Sequence, residues 1–214
     1  MEWNELEKHF SAARLGRYLA ARGGDEARAA QDYAFNLRLA EAMMPLLNTL
    51  EIALRNGVHS RLTARYKRTD WWAEWKEDPL FRWQNKEIAN AINKLDRRHE
   101  ARTADKVIAE LTFGFWSSLF NTQFQEVLWK DLRLVFTRCP KALRQRHNIS
   151  AALNQIRDLR NRIFHHEPLL WLRPPLPEHH AAGVKVISWI APELAQWLAG
   201  LDRMNAVWAN SQKT

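Results

Sequence analysis

Arg160, Asn161 and His165 bring a fixed positive charge, an amide and an imidazole within about a turn and a half of helix. Histidine, with an ordinary pKa of about 6.5, can take or give a proton near neutral pH. Arginine stays charged and presents a planar fork of donors suited to phosphate oxygens. Asparagine can orient the imidazole or hold an oxygen. Cleavage of RNA without a metal needs these parts: a base for the 2′-hydroxyl, an acid for the leaving oxygen and a cation for the phosphorane. Arg-Asn and His at this spacing also occur by chance in many helices, so the surroundings must decide. Asn161 and His165 are four apart and share a face, with Arg157 one turn earlier in the same row. Arg160 and His165 are five apart, about 140° round an ideal helix. They converge only if the helix unwinds before Pro168 or if a second copy faces the first. His166 offers a second imidazole one residue on.

The element carrying these residues is sharply amphipathic. Ile149, Ala152, Leu153, Ile156, Leu159, Ile163 and Phe164 form one apolar arc, and Arg160 falls in its middle. A guanidinium there needs a carboxylate from a neighbouring helix, an interface or a bound anion. Glu51, Arg55 and His59 stand four apart in another row. Their spacing predicts an intrahelical salt-bridge ladder, or support for the arginine-bearing helix from Glu51 or Arg55. His165-His166-Glu167 and His179-His180 hint at a metal, but adjacent helical residues face different ways and no His-Glu-x-x-His or paired-cysteine pattern occurs. No metal and no cofactor are expected. Trp71, Trp72 and Trp75 are read first as packing residues, with stacking on unpaired bases as the alternative. Without a glycine-rich phosphate loop, ATP or GTP hydrolysis is not expected.

Apolar residues recur at three- and four-residue steps almost throughout, and only seven glycines interrupt them. The pattern predicts an all-α helical bundle. Helices are expected over residues 3–21, 25 to about 66, 85–99, from Thr103 to Leu111, 122–136 and 150 to about 166. Pro45 should kink the second of these or start a new one, and Gly114 should interrupt the helix after Thr103. Arg173-Pro174-Pro175-Leu176-Pro177 reads as an extended linker. It divides the chain into a helical domain, 1–172, and a C-terminal segment, 173–214, packed on it, with a helical piece from about Ala181 and a last helix from Pro192.

The net charge of +8 is concentrated: residues 138–173 hold eight basic side chains and two acidic ones. This favours a polyanionic partner, nucleic acid before a membrane surface, because Arg160 interrupts the apolar arc that a membrane-bound helix would present. The charged first residues and the absence of a long apolar run predict no leader and no membrane span. The single cysteine, Cys139, excludes an internal disulfide and fits a cytoplasmic address.

Arg160-Asn161-Arg162-Ile163-Phe164-His165 resembles the motif of the HEPN superfamily, an arginine and a histidine separated by four to six residues. The longer string from Leu159 to Glu167 is similar to its Abi-like (abortive infection) branch. So are Arg14-Leu15-Gly16-Arg17-Tyr18-Leu19, Leu50-Glu51-Ile52-Ala53-Leu54-Arg55-Asn56, and the stretch from Leu111 to Phe120. Together they cover most of the chain to about Leu172. The resemblance implies a HEPN-like bundle, a homodimer that juxtaposes two motif helices, and metal-independent endoribonuclease activity. It further implies a toxin or antiphage role, restrained by a protein or RNA antitoxin. Some superfamily members are inactive or only bind, so a non-catalytic RNA-binding or regulatory module is the alternative reading.

Overall fold

A computed structural model describes residues 2–212; all its regular elements are helical, with no strand among the described residues. The axis of the fold is a helix of 41 residues, about 60 Å long at 1.5 Å per residue. Two short helices precede it, α1 (Trp3–Phe10) and α2 (Ala12–Ala21), where the periodicity suggests one. They break at Ser11, whose φ is 70°. The break has a packing cause. A straight helix would hold Trp3 about 18 Å from Leu15, whereas the bend lets Trp3, Leu15 and Tyr18 join Ala29 and Tyr33 in one satellite cluster.

The long helix is α3 (Glu26–Tyr66), capped by Asp25, whose carboxylate accepts from the Arg28 N–H at 3.0 Å. It runs on through Pro45. A mid-helix proline costs about 3 kcal/mol, but Ala42, Met43, Leu46 and Leu47 on either side are buried. Their burial outweighs the lost hydrogen bond. Leu50, Leu54, Val58 and Leu62 continue the buried row to Lys67, which closes the helix in a left-handed conformation.

A 3-10 turn, Trp71–Trp75, then folds back on α3. Trp71 and Trp75 are fully buried, which overturns base stacking for these two. The Trp71 indole N–H donates to His59 Nδ1 at 3.0 Å, and that of Trp75 to the Tyr66 hydroxyl at 3.0 Å. Trp75 also stacks on Phe81 at 4.2 Å. Next come α4 (Arg82–Arg97), α5 (Ala104–Glu110) and α6 (Phe113–Ser118). Thr103 caps α5 as its sequence context predicts, its hydroxyl accepting from the Lys106 N–H. Gly114 lies inside α6 instead of breaking a helix; the break falls at Leu111 and Thr112.

After α7 (Gln125–Leu132) and the motif helix α8 (Arg146–Phe164), three helices close the chain: α9 (Leu176–Ile190), α10 (Pro192–Ala199) and α11 (Met204–Ser211). The expected linker shortens here, because α9 already starts at Leu176: Pro177 in a first helical turn lacks only an N–H that would have no partner. Leu176, Val186, Ile187, Leu198 and Met204 are buried in the same core as Leu50 and Leu153. At Gly183 the approach of α9 to α3 is tight, since a Cβ there would lie 2.7 Å from Leu46 Cδ2. α8 is thus held between α6 and α9, with its C-terminal end directed at α2 and α3.

Candidate active site

Leucine and isoleucine at three- and four-residue steps seat α8: Ile149, Leu153, Ile156, Leu159 and Ile163 are buried. Phe164, placed on the apolar arc by the helical wheel, is instead 48% exposed, because the helix ends there and the core does not extend beneath it. The termination is well defined. His165 is the last cap residue, and His166 adopts φ 56°. The His166 N–H bonds the Ile163 carbonyl at 3.0 Å, and the Glu167 N–H reaches back to the Arg162 carbonyl at 2.9 Å. This paired return is the Schellman arrangement, in which glycine usually holds the left-handed position.

A buried asparagine on α3 fixes the chain beyond it. Asn36 accepts from the Leu169 N–H at 2.6 Å and donates to the Glu167 carbonyl at 3.3 Å. From α2, Arg14 Nη1 donates to the His166 carbonyl at 3.2 Å. α2 is itself anchored: Arg22 grips the buried Asp32 with two bonds, 2.6 and 2.8 Å.

These ties create a cleft of about 310 Å³, lined among others by Ser11, Arg14, Arg17, Tyr18, His165, His166 and Glu167. Both imidazoles are exposed to it. Tyr18 is buried, its hydroxyl has no hydrogen-bond partner among the described residues, and burial pushes its pKa well above the ordinary phenol range. It stays a neutral phenol at any physiological pH. The cleft therefore brings together two imidazoles, two guanidinium groups and the Glu167 carboxylate.

Arg160 is elsewhere. Its Nε lies 3.3 Å from Glu51 Oε2 on α3, and its guanidinium sits 4.5 Å from the centre of the Phe164 ring. Of the three resolutions the sequence left open for this arginine, a carboxylate on a neighbouring helix is the one present. Glu51, Arg55 and His59 do not form a ladder with one another: Glu51 meets Arg160, Arg55 donates to Asn56, and His59 accepts from Trp71. Asn161 is exposed on the outer face of α8, its carbonyl accepting from the His165 N–H at 2.8 Å. Arg157, one turn earlier, opens onto a different cleft beside Trp83 and Gln84.

No known family model, curated protein or solved structure matches this chain. What the site can do must be read from its own groups. His165 and His166 meet Arg14 and Arg17, whereas Arg160 and His165 leave α8 in different directions. Arg14 and Arg17 were not among the candidate site residues. They lie about 150 positions away in sequence, and only the resemblance of their stretch to the Abi-like branch pointed at that segment.

Proposed function

We propose that this chain is a metal-independent endoribonuclease, and the observation that supports it best is the His165–His166 pair facing Arg14 and Arg17 across one open cleft. Such a cleft suits a phosphodiester, since the arginines draw the phosphate in while an imidazole works on the neighbouring hydroxyl. His165 removes the proton of the 2′-hydroxyl, and the 2′-oxygen attacks phosphorus. The 5′-oxygen leaves with a proton from His166, giving a 2′,3′-cyclic phosphate and a 5′-hydroxyl. Arg14 and Arg17 balance the charge that gathers on the phosphorane.

Arg160 and Asn161 enter through a second copy of the chain. Packed against each other along α8, two protomers bring the Arg160 of one, beside its Asn161, towards the His165 of the other, which a single α8 cannot do for the arginine. The similarity of Arg160-Asn161 and His165 to the HEPN motif supports this homodimer. It extends the reading to a toxin or antiphage abortive-infection effector held in check by a protein or RNA antitoxin.

The test is to incubate the protein with total RNA in excess chelator beside His165→Ala and Arg160→Ala. The expected result is cleavage by the parent alone, leaving cyclic-phosphate ends, with a loss of about 10²- to 10⁴-fold on removing His165. One observation favours a second reading, a non-catalytic RNA-binding module: Arg160 is already engaged by Glu51 and Phe164. If His165→Ala alters affinity while the parent leaves RNA intact, that module is what the chain is.

A further inference from the structure

Two turns before His165 in the same row of α8, Arg157 borders a second cleft, where Trp83 stands 46% exposed at the start of α4. An indole so placed is not there by neglect of the core, since the buried Phe115 lies behind it, ring centres 6.3 Å apart and planes 27° from parallel. Two hollows meet at Trp83 and Gln123. One, of about 540 Å³, is bordered by Arg82 and Lys86; the other, of about 460 Å³, by Gln84, Ser118, Asn121 and Arg157. No acidic side chain lines either of them. Arg157 is paired at 3.5 Å with the exposed Asp158, which is not among the lining residues.

The decisive atom is the side-chain oxygen of Gln84. The residue is only 2% exposed, and its Nε2 donates to Ser118 Oγ at 3.1 Å. The Ser118 hydroxyl spends its own proton on the Phe115 carbonyl at 2.7 Å, so it can only accept from Gln84. That fixes which way the amide points and leaves Gln84 Oε1 buried with no donor among the described residues. A buried acceptor without a partner is rare and unfavourable, and it calls for an N–H from outside.

We propose that this cleft receives one unpaired base of a single-stranded RNA. The base stacks on Trp83, donates from its exocyclic amino group to Gln84 Oε1, and leaves its flanking phosphates to Arg82, Lys86 and Arg157. An aromatic platform, an edge-reading amide and cations without carboxylates are the three parts that single-strand recognition uses. The inference rests on RNA being the substrate, and it gives the enzyme a base-reading site separate from the histidine cleft.

Binding, measured apart from cleavage, tests it. Fluorescence anisotropy with labelled single strands of about eight nucleotides would use the full chain carrying His165→Ala, which keeps the probe intact. Oligoadenylate is compared with the same strand built from purine riboside, which lacks the amino group. The expected results are tighter binding of oligoadenylate by about five-fold or more, a loss of about ten-fold with Trp83→Ala, and no discrimination between the two strands with Gln84→Leu. Equal affinity for the two strands, or RNA binding that Trp83→Ala leaves unchanged, overturns the proposal. The strand comparison needs no variant at Gln84, so a misfolded Gln84→Leu does not blunt it. Cleavage by the parent with no dependence on Trp83 would remove this site and leave the nuclease standing; Trp83-dependent binding with no cleavage would do the reverse.

Discussion

His165 and His166 are neighbours with different obligations. His165 ends α8 in an ordinary conformation, whereas His166 holds the left-handed position of the helix terminus at φ 56°. For a side chain with a Cβ that position is unfavourable by about 1–2 kcal/mol, though histidine tolerates it better than most. Glycine would fit without strain but loses about 0.5–1 kcal/mol through its freer unfolded chain. His166→Gly is therefore expected to leave stability unchanged or raise it by up to about 1 kcal/mol, read from the urea midpoint. If His166 supplies the leaving-group proton, the same variant lowers cleavage by about 10²-fold or more. A residue kept for structure would give the opposite result, a lower midpoint with cleavage intact. A variant as stable as the parent but inactive would assign the left-handed histidine to chemistry, and the two readouts together decide between the roles. Arg160 carries a different kind of constraint. It and Glu51 are about a quarter exposed, so their ion pair is worth more than a surface pair and less than a buried one.

Helix content could be read from the sequence because three- and four-residue spacing is a local property, and α3, α8 and the cap at Thr103 followed from it. The departures all have causes outside the local segment. Ser11 breaks a helix so that Trp3 can share a cluster with Tyr18; Pro45 fails to break one because Met43 and Leu46 are buried around it. The candidate site divides the same way. Arg160 in an apolar arc announced its need for a carboxylate, an interface or a bound anion, but nothing periodic links Arg14 to His166 across 152 positions. Nor does spacing foretell that His59, one member of a regular Glu-Arg-His row, turns to accept from Trp71. That bond has a consequence between elements, since it ties α3 to the tryptophan turn only while His59 Nδ1 is unprotonated. Burial lowers the His59 pKa, against a smaller opposing pull from Asp105, and burial likewise lowers those of His179 and His180 on α9. A depressed histidine pKa means that the unfolded chain binds protons more readily than the native one. Stability is then full above the unfolded value of about 6.5 and is lost as pH falls from there through the lowered native value. The urea midpoint should drop between about pH 7.5 and pH 5.5. His59→Asn, which keeps an acceptor for the Trp71 N–H and cannot titrate, should lose less over the same interval. An equal loss in parent and variant would place the acid sensitivity in α9 instead.

Over the whole molecule, the positive charge concentrated in residues 138–173 does not become one patch. Arg160 is matched by Glu51, Arg162 by Glu167, and Arg157 faces the Trp83 cleft. Two separate basic hollows result, one around the histidines with Arg14 and Arg17, the other around Trp83 with Arg82 and Lys86. No described helix is long and apolar enough to cross a membrane, so the exposed apolar side chains need another account. Phe164 is the one that matters for the site. It lies at the end of α8, half exposed, with the Arg160 guanidinium over its ring and His165 next in the chain. On an ideal helix Arg160 and His165 diverge by about 140°. In the proposed dimer a second α8 laid against the first would cover Phe164 and close that gap in one step. Sedimentation at tens of micromolar should then find a dimer, and Phe164→Glu, which sets a carboxylate at the contact without touching the core, should find a monomer. Cleavage should fall with the dimer, even though Arg14, Arg17, His165 and His166 remain in place on each chain. A parent that sediments as a monomer while cutting RNA at full rate would confine the chemistry to the single-chain cleft, and Arg160 would then be a structural ion pair to Glu51 and no more.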